Sequence, residues 1–354
     1  MTFLTRLSLP AVALAALATG GMAQSFDAAP KADPSVSSPF AFAETAKKEQ
    51  QAEMARKEAE ASGARVIGGE IAANGAWPWQ VGLLIAGRPV GPDSQFCGGS
   101  LILDQWVLTA AHCVYMQDDQ GYFDLNPQQV NVIVGTNKLA PGMGDVIPVA
   151  GIFRNQAYNP DGFDSDIALI KLARKPNVSY QTIKVPDKSF GEQIDVTGVP
   201  TVVTGWGLIN GGTHPAEMYQ AQIQILGRDQ CNGAVMEARG QAAVEPFIQA
   251  LQILNVKGDD AQSAWNALFS KAPMPLSDNM LCSGTYEGGK TSCQGDSGGP
   301  LVVPLSDGSY VQAGVVSWGF ANSETMTCVE TALFSAYTKV SNFVPWMEQV
   351  IAAN

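Results

Sequence analysis

The chain has 354 residues, of which 46% are hydrophobic and 15% are charged, and its formal net charge is −12 at pH 7. This composition is typical of a globular protein and excludes disorder as the default state of the chain. The acidic balance also argues against sequence-independent binding to nucleic acid or anionic lipid, because both need clustered Lys and Arg.

The first 23 residues have the pattern of a secretory signal peptide. Arg6 precedes an apolar run over 7–17, and small residues end at Ala23. Such a run is too short to span a membrane convincingly, although an uncleaved anchor is the alternative. We therefore expect cleavage after Ala23, a secreted or periplasmic product, and no membrane attachment once the signal has been removed.

Two further segments come before the apolar part of the chain. Residues 24–42 are rich in Pro, Ser, Ala and Asp, which is typical of an unstructured leader. Residues 43–64 combine strong helix formers and mixed charge with almost no large apolar side chain, so they predict a solvated or nascent helix that cannot build a core. The composition changes at 65–69 (RVIGG), where the chain becomes apolar and β-like.

Beyond that point, short β-branched runs alternate with Gly, Pro and Asn clusters, a pattern that predicts an all-β sandwich or barrel assembly. The runs are 79–85 (WQVGLLI), 100–111 (SLILDQWVLTAA), 130–135 (VNVIVG), 167–172 (IALIKL), 201–207 (TVVTGWG), 220–226 (QAQIQIL), 300–305 (PLVVPL) and 311–319 (VQAGVVSWG). The segment 234–271 breaks the pattern and predicts two short amphipathic helices. The segment 342–354 predicts a terminal helix with Phe343, Trp346, Met347 and Val350 on one face.

Six cysteines suit an oxidising compartment and three disulfides, although counting alone allows ~15 pairings. They are Cys97, Cys113, Cys231, Cys282, Cys293 and Cys328.

Ser297 lies in 291–301 (TSCQGDSGGPL), among three glycines, an aspartate and a cysteine. Such residues are also common turn composition, so the segment alone does not establish a nucleophile. A serine hydroxyl attacks well near neutral pH only when a neighbouring base takes its proton, and histidine is the usual base.

The chain has two histidines. His214 lies in a Gly/Pro-rich loop with nothing to orient it, and we expect a surface residue. His112 ends an apolar run beside Cys113, where a disulfide would hold it in place. The alternative is a packed histidine next to a structural disulfide.

A third group is needed to fix the imidazole tautomer. Asp164 and Asp166 stand immediately before the apolar run 167–172. Carboxylates at a strand end are also common caps, but a serine, a histidine and an aspartate have complementary chemistry.

The segments TAAHC, DIALIKL, GWG, CQGDSGGPL and SWG, in that order over 66–354, closely resemble the chymotrypsin-like serine proteases of the trypsin family. The resemblance implies two packed six-stranded antiparallel β-barrels with a C-terminal helix, to which this chain adds a helical insertion at about 234–271. It makes His112 the general base, Asp166 its orienting partner and Ser297 the nucleophile. The amides of Gly295 and Ser297 then bind the oxyanion.

The resemblance also implies a zymogen. In this family a new amino terminus, freed by proteolysis, pairs with the aspartate just before the nucleophile. Here cleavage after Arg65 would free Val66 to pair with Asp296, so residues 24–65 are a propeptide and an activating protease is a partner. The same resemblance implies the disulfide pairs Cys97–Cys113, Cys231–Cys282 and Cys293–Cys328.

The resemblance places the substrate pocket at Thr291, Ser317, Trp318, Gly319 and Ser335. Thr291 stands where the trypsin branch has an aspartate, and Ser335 would narrow the lower pocket. A buried cation without a carboxylate would be strongly disfavoured unless Glu324 or Glu330 turned inward. We therefore expect an apolar residue before the scissile bond, as in chymotrypsin-like or elastase-like enzymes.

Two departures from the family bear on function. The segment between Cys231 and Cys282 is far longer than the family's usual loop, and is either a lid or exosite or a neutral surface insertion. The family's calcium loop would fall at 135–151, where Asp145 is the single carboxylate, so we expect no metal and no cofactor.

The leading hypothesis is a monomeric serine endopeptidase acting on proteins or peptides, with no nucleic-acid partner. A non-catalytic binding protein on the same scaffold is a second possibility, because folds are reused without their chemistry. An esterase with the same triad is a third.

Overall fold

The computed structural model describes residues 69–209, 213–285, 290–319 and 334–354. The expected signal peptide and propeptide, the cleavage site at Arg65 and Val66, and Cys328, Glu324 and Glu330 lie outside these ranges. No helix in the described ranges is long and apolar enough to cross a membrane.

The first half of the chain forms a closed six-stranded antiparallel barrel, in the order β2-β3-β4-β9-β8-β7. Strands β1 to β9 are Glu70–Ile71, Gln80–Ile85, Gln95–Leu103, Trp106–Thr109, Tyr115–Asp118, Gly121–Asp124, Val130–Val134, Asp145–Arg154 and Ala168–Leu172. β5 and β6 pair as a separate hairpin. Successive side chains of a strand point to opposite faces of the sheet. In β7, Val130, Val132 and Val134 therefore join one apolar cluster, and Ile133 joins another.

The second half forms a second barrel, in the order β11-β10-β13-β14-β15-β12, which closes because β11 also pairs with β12. Strands β10 to β15 are Pro200–Gly205, Tyr219–Leu226, Met280–Gly284, Pro300–Pro304, Tyr310–Gly319 and Phe334–Lys339. β1 adds to the edge of β11, with Glu70 opposite Gln220. The expected pair of six-stranded antiparallel barrels is therefore confirmed.

The two barrels share an apolar cluster. Ile133 and Leu84 from the first barrel pack with Trp206, Val202 and Val302 from the second. Burial of this shared apolar surface is a non-directional attraction that holds the barrels together. The residues described below come from strands and loops of both barrels.

Four α-helices lie in the described part of the chain: α1 (Lys188–Ile194), α2 (Arg228–Leu254), α3 (Asp259–Lys271) and α4 (Val344–Ala353). Asp187 caps α1 by accepting a hydrogen bond from the amide of Phe190 at 2.8 Å. α4 returns to the first barrel, where Phe343 and Met347 are buried in its core cluster. The C-terminal helix is thus present as predicted.

The inserted segment forms two helices, as predicted, but the first of them is longer than expected. α2 has 27 residues and begins at Arg228, before the expected start. The reason is tertiary burial: Cys231, Ala234 and Val235 pack in a cluster with Trp318 of the second barrel. Farther along, Val244 and Ile248 are exposed. The base of α2 therefore belongs to the protein core, and its outer part projects from it.

Disulfides Cys97–Cys113 and Cys231–Cys282 are present. The first ties β3 to the 3₁₀ turn Ala111–Cys113, and the second ties the first turn of α2 to β12. Cys293 is also disulfide-bonded, and Cys328, its expected partner, lies outside the described ranges.

Candidate active site

His112 is held at the junction by both backbone and side-chain contacts. It lies on the 3₁₀ turn that follows β4, and the disulfide of the next residue ties this turn to β3. Its Nδ1 lies 2.7 Å from Oδ2 of Asp166, and its backbone N–H donates to Oδ1 at 2.8 Å. Because a carboxylate only accepts, Nδ1 carries the proton and Nε2 is left as the basic nitrogen.

Asp166 is fully buried, at 0% exposure, just before β9. Besides the two bonds from His112, its Oδ2 accepts from the hydroxyl of Ser317 at 2.5 Å. The hydroxyl of Thr338 donates to the main-chain oxygen of Asp166 at 2.7 Å. A buried carboxylate is tolerated when its lone pairs are satisfied, and here three donors satisfy them.

Asp164, the other candidate carboxylate, has different partners. It accepts hydrogen bonds from the hydroxyl of Ser277 and from Nδ2 of Asn279, the latter at 3.2 Å. Phe163 and Ser165, on either side of it, have φ of 54° and 57°. This left-handed backbone, uncommon for such residues, turns the two carboxylates toward different parts of the molecule. The structure therefore joins Asp166, and not Asp164, to His112.

The segment around Ser297 lies against the strands that lead to His112. The carbonyl oxygen of Ser297 accepts from the amide of Gly98 at 2.7 Å. A Cβ at Gly298, where φ is +80°, would lie 2.2 Å from Oγ1 of Thr109. Glycine is therefore required there for both conformation and space. Thr109 precedes His112 by three residues, so this contact brings the serine segment to the histidine turn.

The peptide between Gln294 and Gly295 is fixed in orientation. The carbonyl of Gln294 accepts from the amide of Leu208 at 2.7 Å. Peptide bonds in the described ranges are trans, so the N–H of Gly295 points away from that carbonyl. The N–H groups of Asp296 and Gly299 donate within the loop, to the carbonyls of Cys293 and Asp296, and that of Gly298 donates to the carbonyl of Val316 on β14. Among the described residues, those of Gly295 and Ser297 remain free to bind an oxyanion.

Asp296 is a buried carboxylate in a cradle of glycine. Its Oδ1 accepts from the amide of Gly207 at 2.8 Å and its Oδ2 from the amide of Cys293 at 2.9 Å. A Cβ at Gly205 would lie 2.1 Å from Oδ1. Burial raises the pKa of Asp296 to about 6, against the opposing effect of the two amides. No basic group within the described ranges pairs with it.

The residues expected to form the substrate pocket are brought together. Thr291 and Ser335 are buried and their hydroxyls are hydrogen-bonded to each other. A Cβ at Gly319 would lie 3.1 Å from Oγ of Ser335. Tyr337 adds a further hydroxyl beside Ser335, and burial raises the pKa of Tyr337. The side chains described at the expected pocket floor, Thr291, Ser335 and Tyr337, thus carry hydroxyls and no carboxylate.

Ser317 and Trp318, also expected at the substrate pocket, have contacts outside it. The hydroxyl of Ser317 is bound to Asp166, so its side chain belongs to the His112–Asp166 network. Trp318 is 1% exposed and packs with the base of α2. The base of α2 thus packs against the strand that carries Ser317 and Trp318.

His214 is not the unoriented surface residue that the loop composition predicts. It is half-buried, and its Nδ1 lies 3.4 Å from the carbonyl oxygen of Trp206. A Cβ at Gly295 would lie 3.0 Å from its Cε1. Burial lowers the pKa of His214, so the ring is held in its neutral form near pH 7. No local sequence signal indicates the contact between His214 and Gly295, because these residues are far apart in the chain.

The described residues contain one cluster of His and Cys side chains that resembles a metal site. Three candidate ligands cluster at Cys97, His112 and Cys113, but the two cysteines are bonded to each other and offer no thiolate. Asp145 is paired with Arg174, whose Nη1 lies 2.6 Å from Oδ2, and this pairing lowers the pKa of Asp145.

Comparison with known proteins gives consistent matches. Residues 66–347 match the protein-family model described as Trypsin. The chain is 32% identical to Cationic trypsin-3 of Rattus norvegicus over 294 residues, covering 82% of this chain and 91% of that protein. It is 30% identical to Serine proteinase stubble of Drosophila melanogaster over 293 residues, covering 80% of this chain and 30% of the relative. Transmembrane protease serine 9 of Rattus norvegicus is 30% identical over 288 residues, and the chain spans 22% of its length.

Proposed function

Because the chain belongs to the trypsin family of serine endopeptidases, we propose that it cleaves peptide bonds through an acyl-enzyme on Ser297. In this proposal His112 is the general base and Asp166 orients it. The observation that carries the proposal is the buried carboxylate of Asp166 on Nδ1 of His112, which leaves Nε2 basic.

The reaction follows from these positions. Oγ of Ser297 attacks the scissile carbonyl carbon while Nε2 of His112 takes the hydroxyl proton, and the amides of Gly295 and Ser297 bind the oxyanion. The tetrahedral intermediate collapses, the C–N bond breaks, and His112 gives its proton to the leaving amine. Water then attacks the acyl-enzyme with His112 again as base, and releases the acid and Ser297.

Zymogen activation is supported by Asp296. A buried ionised carboxylate without a cation is strongly disfavoured, and a Cβ at Gly205 or Gly207 would lie within 2.4 Å of the Asp296 carboxylate oxygens. Cleavage after Arg65 by a trypsin-like protease would supply the ammonium of Val66 as the missing cation. Residues 24–65 would then be the propeptide, and the uncleaved chain a poorly active precursor.

The substrate preference is supported by the neutral pocket floor. Thr291, Ser335 and Tyr337 present hydroxyls, and an ammonium or guanidinium would have no carboxylate partner among them. An apolar side chain of middle size faces no such penalty and gains about 1.5–3 kcal/mol on full burial. We expect cleavage after residues such as Leu, Met, Phe or Tyr, and poor self-cleavage at Arg65.

The partners and location follow the family. Trypsin-like proteases act on protein substrates, many are activated by other proteases, and most are secreted. We infer that this chain is exported through its first 23 residues and acts as a monomer in the periplasm or outside the cell.

The test uses the full chain, treated with a trypsin-like protease and then with a fluorophosphonate probe. We expect an amino terminus at Val66, covalent labelling of Ser297, and hydrolysis of internal peptide bonds. Ser297→Ala is the matched control that should lose labelling. A properly cleaved chain that takes no label would point to a binding protein, and one that turns over only esters to an esterase.

A further inference from the structure

The amide of Gly295 can bind an oxyanion only while its loop keeps one conformation. Gly295 has a φ of +96°, in a region open to glycine, so the residue itself does not restrict the alternatives. Contacts from elsewhere must therefore fix the two peptide groups that flank it.

Main-chain bonds fix the peptide before Gly295. The amide of Leu208 holds the carbonyl of Gln294 at 2.7 Å. The peptide after Gly295 is held by a side chain: Nε2 of Gln95 donates to the carbonyl oxygen of Gly295 at 2.8 Å. Gln95 lies 200 positions earlier in the chain, on β3 of the first barrel, and is 6% exposed. One barrel thus holds the oxyanion loop of the other.

The space beside the α-carbon of Gly295 is filled by His214. A Cβ there would lie 3.0 Å from Cε1 and 3.2 Å from Nδ1 of the imidazole. The ring is anchored in turn by its contact with the carbonyl of Trp206, next to Gly207, whose amide binds Asp296. Movement of Gly295 toward this side would displace His214.

We propose that Gln95 is a positioning residue that holds the Gly295 amide toward the oxyanion, with the ring of His214 closing the space beside it. The inference rests on the proposed function. In this proposal Gln95 acts through its hydrogen bond to the Gly295 carbonyl, not by contact with the reacting atoms. Its loss should therefore affect the transition state, where the oxyanion forms, much more than substrate binding.

Four variants test this role. Gln95→Leu keeps the approximate size of the side chain and removes the donor. Gln95→Glu replaces the amide with a carboxyl group, which no longer donates once it is ionised, so the assays are run at pH 8 and above. His214→Ala opens the space beside Gly295. Gln105→Leu is the matched control, because Nε2 of Gln105 donates to the carbonyl of Leu172 at 3.1 Å, in a different part of the first barrel.

Each activated variant is assayed for kcat and KM on a peptide with an apolar residue before the scissile bond. Inhibition by a peptide aldehyde is measured as well, because its hemiacetal oxygen occupies the oxyanion site. Loss of one oxyanion donor lowers rates ~10²–10³-fold, so its misplacement should have a smaller effect. We expect Gln95→Leu and Gln95→Glu to lower kcat about 10- to 100-fold and to weaken aldehyde binding by a similar factor. KM should stay within about 3-fold, His214→Ala should lower kcat about 3- to 10-fold, and Gln105→Leu should leave all three values nearly unchanged.

The inference is overturned if both Gln95 variants keep the kcat of the unaltered enzyme, or if the change falls on KM with aldehyde binding intact. Equal losses in Gln105→Leu would show general destabilisation instead of positioning. If Gln95→Leu does not fold, Gln95→Glu decides by the same criteria. Failure of the unaltered, cleaved chain to react at all would remove the proposed function, and this inference with it.

Discussion

His112 and Asp166 are joined by two hydrogen bonds, one from the ring Nδ1 at 2.7 Å and one from the backbone amide at 2.8 Å. Because the same carboxylate holds both the ring and the main chain of His112, it fixes the tautomer as well as the position of the base. The neighbouring carboxylate of Asp164, two residues earlier, is bound instead to Ser277 and Asn279.

The first prediction compares these two carboxylates. Asp166→Asn turns the acceptor on Nδ1 into an amide that favours the wrong tautomer, and we expect kcat to fall about 10⁴-fold. Asp164→Asn is the matched control and should change kcat less than about 3-fold, since its loss leaves the His112 contacts in place. Steady-state hydrolysis of one peptide substrate measures both. Similar losses in the two variants would contradict the assignment.

The second prediction concerns pH and Asp296. Its folded pKa of about 6 exceeds the unfolded value near 3.9, so the free energy of unfolding is highest at low pH and falls as pH rises through about 6. The precursor variant Arg65→Gln would not be cleaved by a trypsin-like protease. We expect its free energy of unfolding to fall by up to about 3 kcal/mol between pH 4 and pH 8 because Asp296 ionises.

Adding Asp296→Asn to that precursor isolates the effect, because an amide does not titrate. The stability difference between the two precursors, measured by denaturant unfolding from pH 4 to pH 8, should shift in favour of the asparagine variant as pH rises. A difference that does not depend on pH would show that Asp296 is not buried in the uncleaved chain.

The third prediction concerns substrate choice. Thr291→Asp adds a carboxylate to the neutral floor, next to the hydroxyl of Ser335, where it can pair with a substrate cation. We expect the ratio of kcat/KM for Lys or Arg over Leu to rise at least about 10-fold. Thr291→Asn, which has the same size without the charge, should leave the ratio nearly unchanged. A peptide library dominated by Lys and Arg before any substitution would show that the native pocket already carries a negative charge.

The fourth prediction separates the two parts of α2. Val235 is 0% exposed, whereas Val244 on the same helix is 43% exposed. Val235→Ala should lower the free energy of unfolding by about 1–3 kcal/mol, and Val244→Ala by less than about 0.5 kcal/mol. Denaturant unfolding of the two variants tests this directly. Equal effects would mean that the outer part of the insertion is as firmly packed as its base.

The sequence predicts most of the barrel strands because β-branched runs between turn residues are a local signal. It misses the two-residue β1, the polar and partly exposed β5 and β6, and β8, which contains Pro148 and Gly151. It also misses β12 and β15, short strands in which serine, glycine or threonine interrupts the apolar residues. It also shortens α2, since the polar first turn of that helix is stabilised by burial of Cys231 and its neighbours, which no local pattern shows.

The sequence likewise predicts some residues of the candidate site and misses others. Motifs around His112, Asp166 and Ser297 are contiguous in the sequence and allow each residue to be assigned by resemblance. Gln95 and His214 are isolated polar residues without a motif, and their contacts with Gly295 arise only when the two barrels meet. A single sequence contains no signal for such long-range contacts.

The division of the site between two barrels has a consequence for biosynthesis. His112 and Asp166 come from the first barrel, whereas the Ser317 hydroxyl that binds Asp166 and the Ser297 segment come from the second. α4, at the extreme carboxyl end, then packs back on the first barrel. A chain that ended before the second barrel would therefore contain His112 and Asp166 but neither Ser297 nor Ser317.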